Sequence, residues 1–249
     1  CSSDLKTEEN DAEYEEKIPD YPVTLFFTKE GYFKKITPQS LRMSGEQKLK
    51  DGDEIVETAE TTNDVELMFF TNKCQVYKTR AAAFADSKAS LLGDYVASKL
   101  EMEEGETAIY MAVVPEYKGS MLFFYENGKV SKIDLAAYET KTNRKKLINA
   151  YSDKSPLTAV FMAAEDGEYL LHSSNGRMLL FNSAAINVKT TKNTQGVAVM
   201  TQRKGHRLMK VEPYVEGSLL SPHRYRTKTL PSAGSIMKAE EKGEQMSLI

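Results

Sequence analysis

The sequence predicts an all-β protein built as a propeller-like ring of small four-stranded sheets, and two observations carry that prediction. First, a hairpin unit recurs. It appears as LFFTKEGYFKKI at Leu25–Ile36, MFFTNKCQVYKT at Met68–Thr79, LFFYENGKVSKI at Leu122–Ile133, and in a weaker form at Leu171–Asn182. With Phe26, Phe69, Phe123 and Leu171 as equivalents, the steps are 43, 54 and 48 residues. Repeats of that period mark arrays whose units are too small to bury a core alone. Second, each hairpin is followed by a polar turn and an apolar strand. These are Asp51–Val56, Glu104–Val114, Asp153–Met162 and Gly205–Val211.

Taken in order, residues 1–20 are polar and acidic and read as a linker. The first hairpin turns at Thr28–Gly31. Asn127-Gly128 and Asn175-Gly176 are strong hairpin signals, with positive φ expected at both turn residues. The second copy has Cys74 where the others have glycine, and Asn72 is expected to take the left-handed conformation there. Between units, Gly93 interrupts any helix over Ser87–Leu100. The last apolar strand, Leu208–Val211, has no hairpin after it and is expected to close the ring on the first unit, which removes exposed edges. About five blades are expected over residues 21–214. From Val215 the composition shifts to Ser, Gly, Pro and charge, and residues 215–249 read as a flexible tail.

Composition excludes several classes. No apolar run approaches the ~20 residues of a membrane-spanning helix. Cys1 and Cys74 are too few for a disulfide framework, so the cytoplasm is the expected compartment. No Cys/His spacing fits zinc, and no phosphate-cradling glycine loop followed by Lys-Ser/Thr is present. No catalytic, metal or cofactor site is expected. His172 occupies a hairpin position usually held by Phe and is read as packing; His206, among Arg203, Lys204 and Arg207, is read as a phosphate contact. Acidic pairs such as Glu103-Glu104 and Asp51/Asp53 read as solvated turns.

The basic residues are informative because they follow the repeat. The net charge of −3 divides into −6 over residues 1–20 and about +3 over the rest, and Arg177 to Lys210 holds seven basic residues and no acidic one. Lys34 and Lys35, Lys78 with Arg80, Lys129 with Lys132, and Arg177 sit at matching hairpins. Arg144, Lys145 and Lys146 fall in one insert, Lys189 and Lys192 in another. Placed around one rim, they would suit a duplex bent around the outside, held through its phosphates without sequence reading.

EGYFKKI, DGDEIV, ELMFFTNKCQVYKT and TTKNTQGVAVM, taken as a set with the repeat length, resemble a known family over Tyr21–Tyr214. They are similar to the C-terminal DNA-binding domain of the bacterial DNA gyrase A subunit and its topoisomerase IV counterpart. The resemblance implies a β-pinwheel that binds and bends duplex DNA beside a cleavage core absent from this chain. It also implies a nucleoid location, a parent enzyme using ATP and Mg2+, and a partner B subunit. The family's nucleophilic tyrosine lies in that core, so none of the thirteen tyrosines here takes its role. The gyrase domains carry a glutamine-arginine-arginine-glycine-glycine-lysine-glycine box after the first hairpin. Here Leu41–Lys48 keeps only Gly45 and scattered basic residues, Arg42 and Lys48 among them. That implies a topoisomerase IV-like or divergent member with little handed wrapping. The end, Gln245, Met246, Ser247, Leu248 and Ile249, resembles a bacterial sliding-clamp-binding motif. Two other readings stand beside this one: a protein-interaction propeller, and a lipoprotein anchored at Cys1. A fragment of a longer chain is preferred to the anchor.

Overall fold

The computed structural model describes residues 17–142 and 144–245. Strands β1 (Pro22–Thr28) and β2 (Tyr32–Ile36) make the first hairpin, with Phe26 opposite Lys34. A short helix follows, α1 (Pro38–Met43), its N-terminus capped by the Thr37 side chain. The chain returns as β3 (Ile55–Thr62) on the far side of β1. It then builds the second hairpin, β4 (Glu66–Thr71) and β5 (Val76–Arg80), but goes back to the first sheet to add β6 (Asp94–Tyr95) beside β2. Only after helix α2 (Val96–Lys99) does β7 (Ala108–Val114) complete the inner side of the second sheet.

The same itinerary repeats. Hairpin β8 (Ser120–Tyr125) and β9 (Lys129–Asp134) precedes β10 (Lys146–Leu147), which returns to β5, and β11 (Leu157–Ala163), which joins β8. Hairpin β12 (Glu168–Ser173) and β13 (Arg177–Asn182) precedes β14 (Val197–Ala198), which returns to β9, and β15 (Leu208–Pro213), which joins β12. Finally β16 (Ser235–Ile236) pairs with β13, and α3 (Ala239–Gln245) follows. In the first three sheets the fourth strand is thus a strap delivered after the next hairpin has been made. There it ties neighbouring blades together.

The described residues form four four-stranded sheets, one blade fewer than expected. Inner edges belong to β3, β7, β11 and β15: Met162 N donates to the Tyr110 hydroxyl at 2.8 Å, and the Thr158 hydroxyl to Leu208 O at 3.0 Å. The straps lie on the opposite, outer edges. The recurring Phe-Phe pair follows from this stacking. Side chains alternate across a strand, so the first Phe of a pair faces the preceding blade and the second faces the next. Phe69 packs with Phe27 and Phe33 of blade 1, whereas Phe70 packs with Phe123 of blade 3. Phe124 in turn packs with Tyr169 and Phe181 of blade 4. Each such burial contributes ~1.5–3 kcal/mol before ordering costs.

The ends explain the weak fourth copy and correct the expected closure. Leu208–Val211 pairs within its own blade, with Val211 opposite Leu171, and not with the first unit. No buried cluster among the described residues joins blades 1 and 4. Phe26, facing where a preceding blade would lie, is covered by Leu41, Ile55 and Ala89. On blade 4 the second Phe has become His172, and Leu170 and Leu180 are covered by Leu219 and Tyr225. Where earlier units insert a whole hairpin before the strap, blade 4 inserts only residues 214–234. The Glu241 carboxylate, 4% exposed, holds this cap by accepting from the backbone N–H groups of Leu220 and Ser221. The segment expected as a tail beyond Tyr214 therefore supplies both a strap and a cap as far as Glu241.

The hairpin turns also differ from expectation. Gly31, Gly128 and Gly176 have positive φ, but Asn127 and Asn175 do not; each Asn side chain instead accepts from the backbone N–H two residues on. In the second copy Cys74, at φ 56°, takes the left-handed conformation, not Asn72, because Cys74 holds the glycine position.

Candidate nucleic-acid interface

The lysines that recur with the hairpins are not surface contacts. Lys35, Lys78 and Lys132 occupy one repeat position, opposite Leu25, Met68 and Leu122. Each reaches the 3-10 turn after the next blade's hairpin. Lys35 Nζ donates to Ala81 O at 3.1 Å, Lys78 Nζ to Tyr138 O at 2.9 Å, and Lys132 Nζ to Ser183 O at 3.2 Å. Each also pairs with a carboxylate: Asp86 at 3.4 Å, Glu66 at 3.1 Å and Asp166 at 2.7 Å. The Lys132 partnership holds the Asp166 carboxyl below its ordinary range. A buried ammonium must be paired and hydrogen-bonded, and these are, so they lock blade to blade. The equivalent residue on blade 4 is Leu180, which has a cap beside it and no next hairpin. Lys34 is also buried. Its Nζ donates to Lys48 O, Ala89 O and Leu91 O, pinning the cover over blade 1, and desolvation lowers its pKa.

Other expected contacts divide. Arg42 and Lys48 are exposed on the cover of blade 1. Arg80 is exposed, donating to Asp64 O at 2.7 Å. Lys129 and Arg177 are half-buried, and Arg177 donates to Gly234 O at 2.9 Å. Lys146 pairs with Glu103 at 3.1 Å, and Lys192 Nζ lies 3.4 Å from Ala137 O. Arg144, Lys145, Lys189, Arg203, Lys204 and Arg207 are exposed; Arg207 is 3.9 Å from Glu126. These do not form the single hairpin ring that the sequence suggested.

Three straps and their approaches carry the exposed charge instead. Residues 140–152, 183–211 and 217–239 each contain no Asp or Glu. They lead to β10, β14 and β16, the outer strands of blades 2, 3 and 4. The first strap differs, with Asp86 and Asp94 in it. Exposed Lys141, Arg224, Lys228 and Lys238 belong to the acid-free segments, and exposed Lys88 and Lys99 flank the first strap. Sequence reasoning missed these residues; the signal available was absence of acid, not repetition of base. Along the outer edge of blade 2 runs a groove of ≈ 530 Å³ lined in part by Ile18, Arg80, Lys99 and Lys145, and beside it one of ≈ 300 Å³ whose lining includes Arg144 and Thr140.

The remaining polar groups are structural. His172 is buried with Nε2 3.1 Å from Glu212, and burial lowers its pKa below the ordinary value. His206 Nδ1 lies 3.2 Å from the Ser174 hydroxyl. Asp53 is no idle turn acid: its carboxylate accepts from Glu30 N and Glu54 N. Glu106, 3% exposed, accepts from Thr71, Gln75 and Tyr77 side chains. Glu57, on an inner strand, has its carboxyl pushed up to about 7 by burial. Among the described residues, no group of three His, Cys, Asp or Glu could hold a metal ion, and no helix is long and apolar enough to cross a membrane. Gln245 ends α3, and Met246, Leu248 and Ile249 of the expected clamp-binding motif lie outside the described residues.

Comparison with known proteins places this arrangement. The family model described as the DNA gyrase C-terminal domain, beta-propeller, matches residues 168–214. The A subunit of DNA topoisomerase 4 from Staphylococcus aureus is 24% identical over 188 residues, which is 74% of this chain and 24% of that protein. The chain therefore spans about a quarter of the length of the curated relatives it matches. The crystal structure of the C-terminal domain of DNA topoisomerase IV superposes with TM-score 0.70 at 22% identity, covering 81% of this chain and 64% of that one. The E. coli ParC C-terminal domain superposes with TM-score 0.64 at 13% identity, covering 88% and 94%. The resemblance carried by the repeat motifs is thus found again in the family model, in the curated relatives and in the fold.

Proposed function

We propose that the domain binds duplex DNA through its phosphates and bends it along the outer edges of blades 2, 3 and 4. The observation that supports this is the three consecutive acid-free straps on one edge of the array. Phosphate contacts from flexible cations give affinity without base reading. Curving a 20–30 base-pair site costs about 1–6 kcal/mol, which contacts spread over three blades can offset. On the family resemblance, the bound segment is presented to the DNA-cleaving core of a type IIA topoisomerase. ATP, Mg2+ and the B subunit belong to the parent enzyme, at work on the nucleoid in the cytoplasm; this domain is non-catalytic. A clamp contact through Gln245, Met246, Leu248 and Ile249 is a further element of the reading. It is checked by titrating a labelled peptide of the last dozen residues against a bacterial clamp.

The test of DNA binding is a titration of one duplex at several salt concentrations. Affinity should fall with a log–log slope near −0.9 per phosphate neutralised. Changing Arg203, Lys204 and Arg207 together to Ala should weaken binding to unrelated sequences about equally. Absence of binding at low salt, or indifference to salt, overturns the reading.

A further inference from the structure

We infer that the acidic segment upstream of Lys17 docks in the basic groove on the outer edge of blade 2. Three observations on different levels carry this. Residues 1–16 hold seven acidic side chains and one basic one. The chain enters the fold at that groove: Ile18 lines it together with Arg80, Lys99 and Lys145. The entry point is fixed, because Pro19 O accepts from Asn63 Nδ2 at 2.7 Å and Asn63 Oδ1 accepts from the buried Lys35 at 2.6 Å.

Reach and concentration both favour the contact. Glu16, Glu15, Glu13 and Asp11 lie within six residues of Lys17, a span of at most ~20 Å for extended chain. Tethering so close gives an effective concentration in the millimolar range, against which a free anion must compete. The groove's cations are matched by few neighbouring acids. Glu66, beside the adjoining groove, is held by Lys78 and the Tyr117 hydroxyl, and Glu101 is the acid that lines the groove itself. Docking stands independently of the nucleic-acid reading. Its consequence, that the segment competes with DNA for blade 2, rests on that reading.

The experiment is zero-length carboxyl–amine coupling on the full chain, read by mass spectrometry. Coupling is expected from Glu13, Glu15 or Glu16 to Lys99 or Lys145, and several-fold less in 0.5 M salt, about 4 Å in screening length. The Arg80→Glu/Arg144→Glu variant, which keeps both coupling lysines, should lower the yield similarly. Coupling absent from the groove, or equally frequent to remote Lys189 and Lys228, overturns the inference. A second arm replaces the seven acids with Asn and Gln and measures duplex affinity at low salt. A three- to tenfold gain supports competition. Groove coupling with no duplex binding by either protein leaves docking standing and removes the DNA reading instead.

Discussion

Replacing Lys78 by Met should unlock blade 2 from blade 3 without removing an exposed cation from the proposed DNA-binding edge. In the folded domain Lys78 Nζ donates to Tyr138 O at 2.9 Å and to the Thr140 hydroxyl at 3.0 Å, and it pairs with Glu66 at 3.1 Å. Removing one partner of a buried pair costs roughly 3–5 kcal/mol when the other charge is stranded. Here the loss is smaller, because the Glu66 side chain is 25% exposed and keeps the Tyr117 hydroxyl at 2.6 Å. Met also retains most of the lysine stem's packing. A destabilisation of about 2–4 kcal/mol is expected. At ~2–4 °C per kcal/mol for a domain of this size, Tm should fall by roughly 5–15 °C. Thermal unfolding followed by circular dichroism reads the shift. Duplex titration of the folded variant should give an unchanged salt slope. A variant as stable as the parent, or one whose salt slope drops by about one unit, would show that Lys78 is a phosphate contact and not a lock.

Exposed cations should behave oppositely. Arg144→Ala with Lys145→Ala should leave Tm within about 2 °C but reduce the salt slope by ~2 units if both meet phosphates. Gly128→Ala should destabilise by ~3 kcal/mol or more, measured by urea unfolding. Its φ is 82° and an added Cβ would lie 1.8 Å from Met200 O, so a chain that tolerates it would contradict this turn geometry. Between about pH 4.5 and 7 the unfolded chain releases the Glu57 proton while the folded chain retains it. Stability should therefore fall as pH rises through that window, by on the order of 2–3 kcal/mol after discounting partial exposure. Comparing denaturation at pH 5 and pH 7.5, Glu57→Gln should remove that slope. Ligation of nicked circles in the domain's presence should give little linking-number shift, because Leu41–Lys48 lacks the gyrase box; a strong shift per bound domain would reject that inference.

Local patterning settled the unit of this fold. Phe-Phe followed by a turn residue and a second apolar strand is a short-range signal, and it appeared at Phe26, Phe69 and Phe123 with the right period. It also carried the resemblance to the gyrase and topoisomerase IV domains. What it could not settle was the fate of the lysines. Lys35, Lys78 and Lys132 find their carbonyl partners 46, 60 and 51 residues away, on the next blade. Whether a repeated lysine meets solvent or a buried turn depends on that packing, since a long aliphatic stem with a charged tip suits either. Closure was hidden for the same reason: Leu208–Val211 is a competent strand for either edge, and its pairing with β12 is decided by where the preceding loop delivers it. One residue did mark the end of the array in advance. Leu180 stands where the other blades have lysine, because the cap beside it offers Leu219 and Tyr225 for packing in place of a next hairpin. Only the stacked blades make that substitution readable as a terminus.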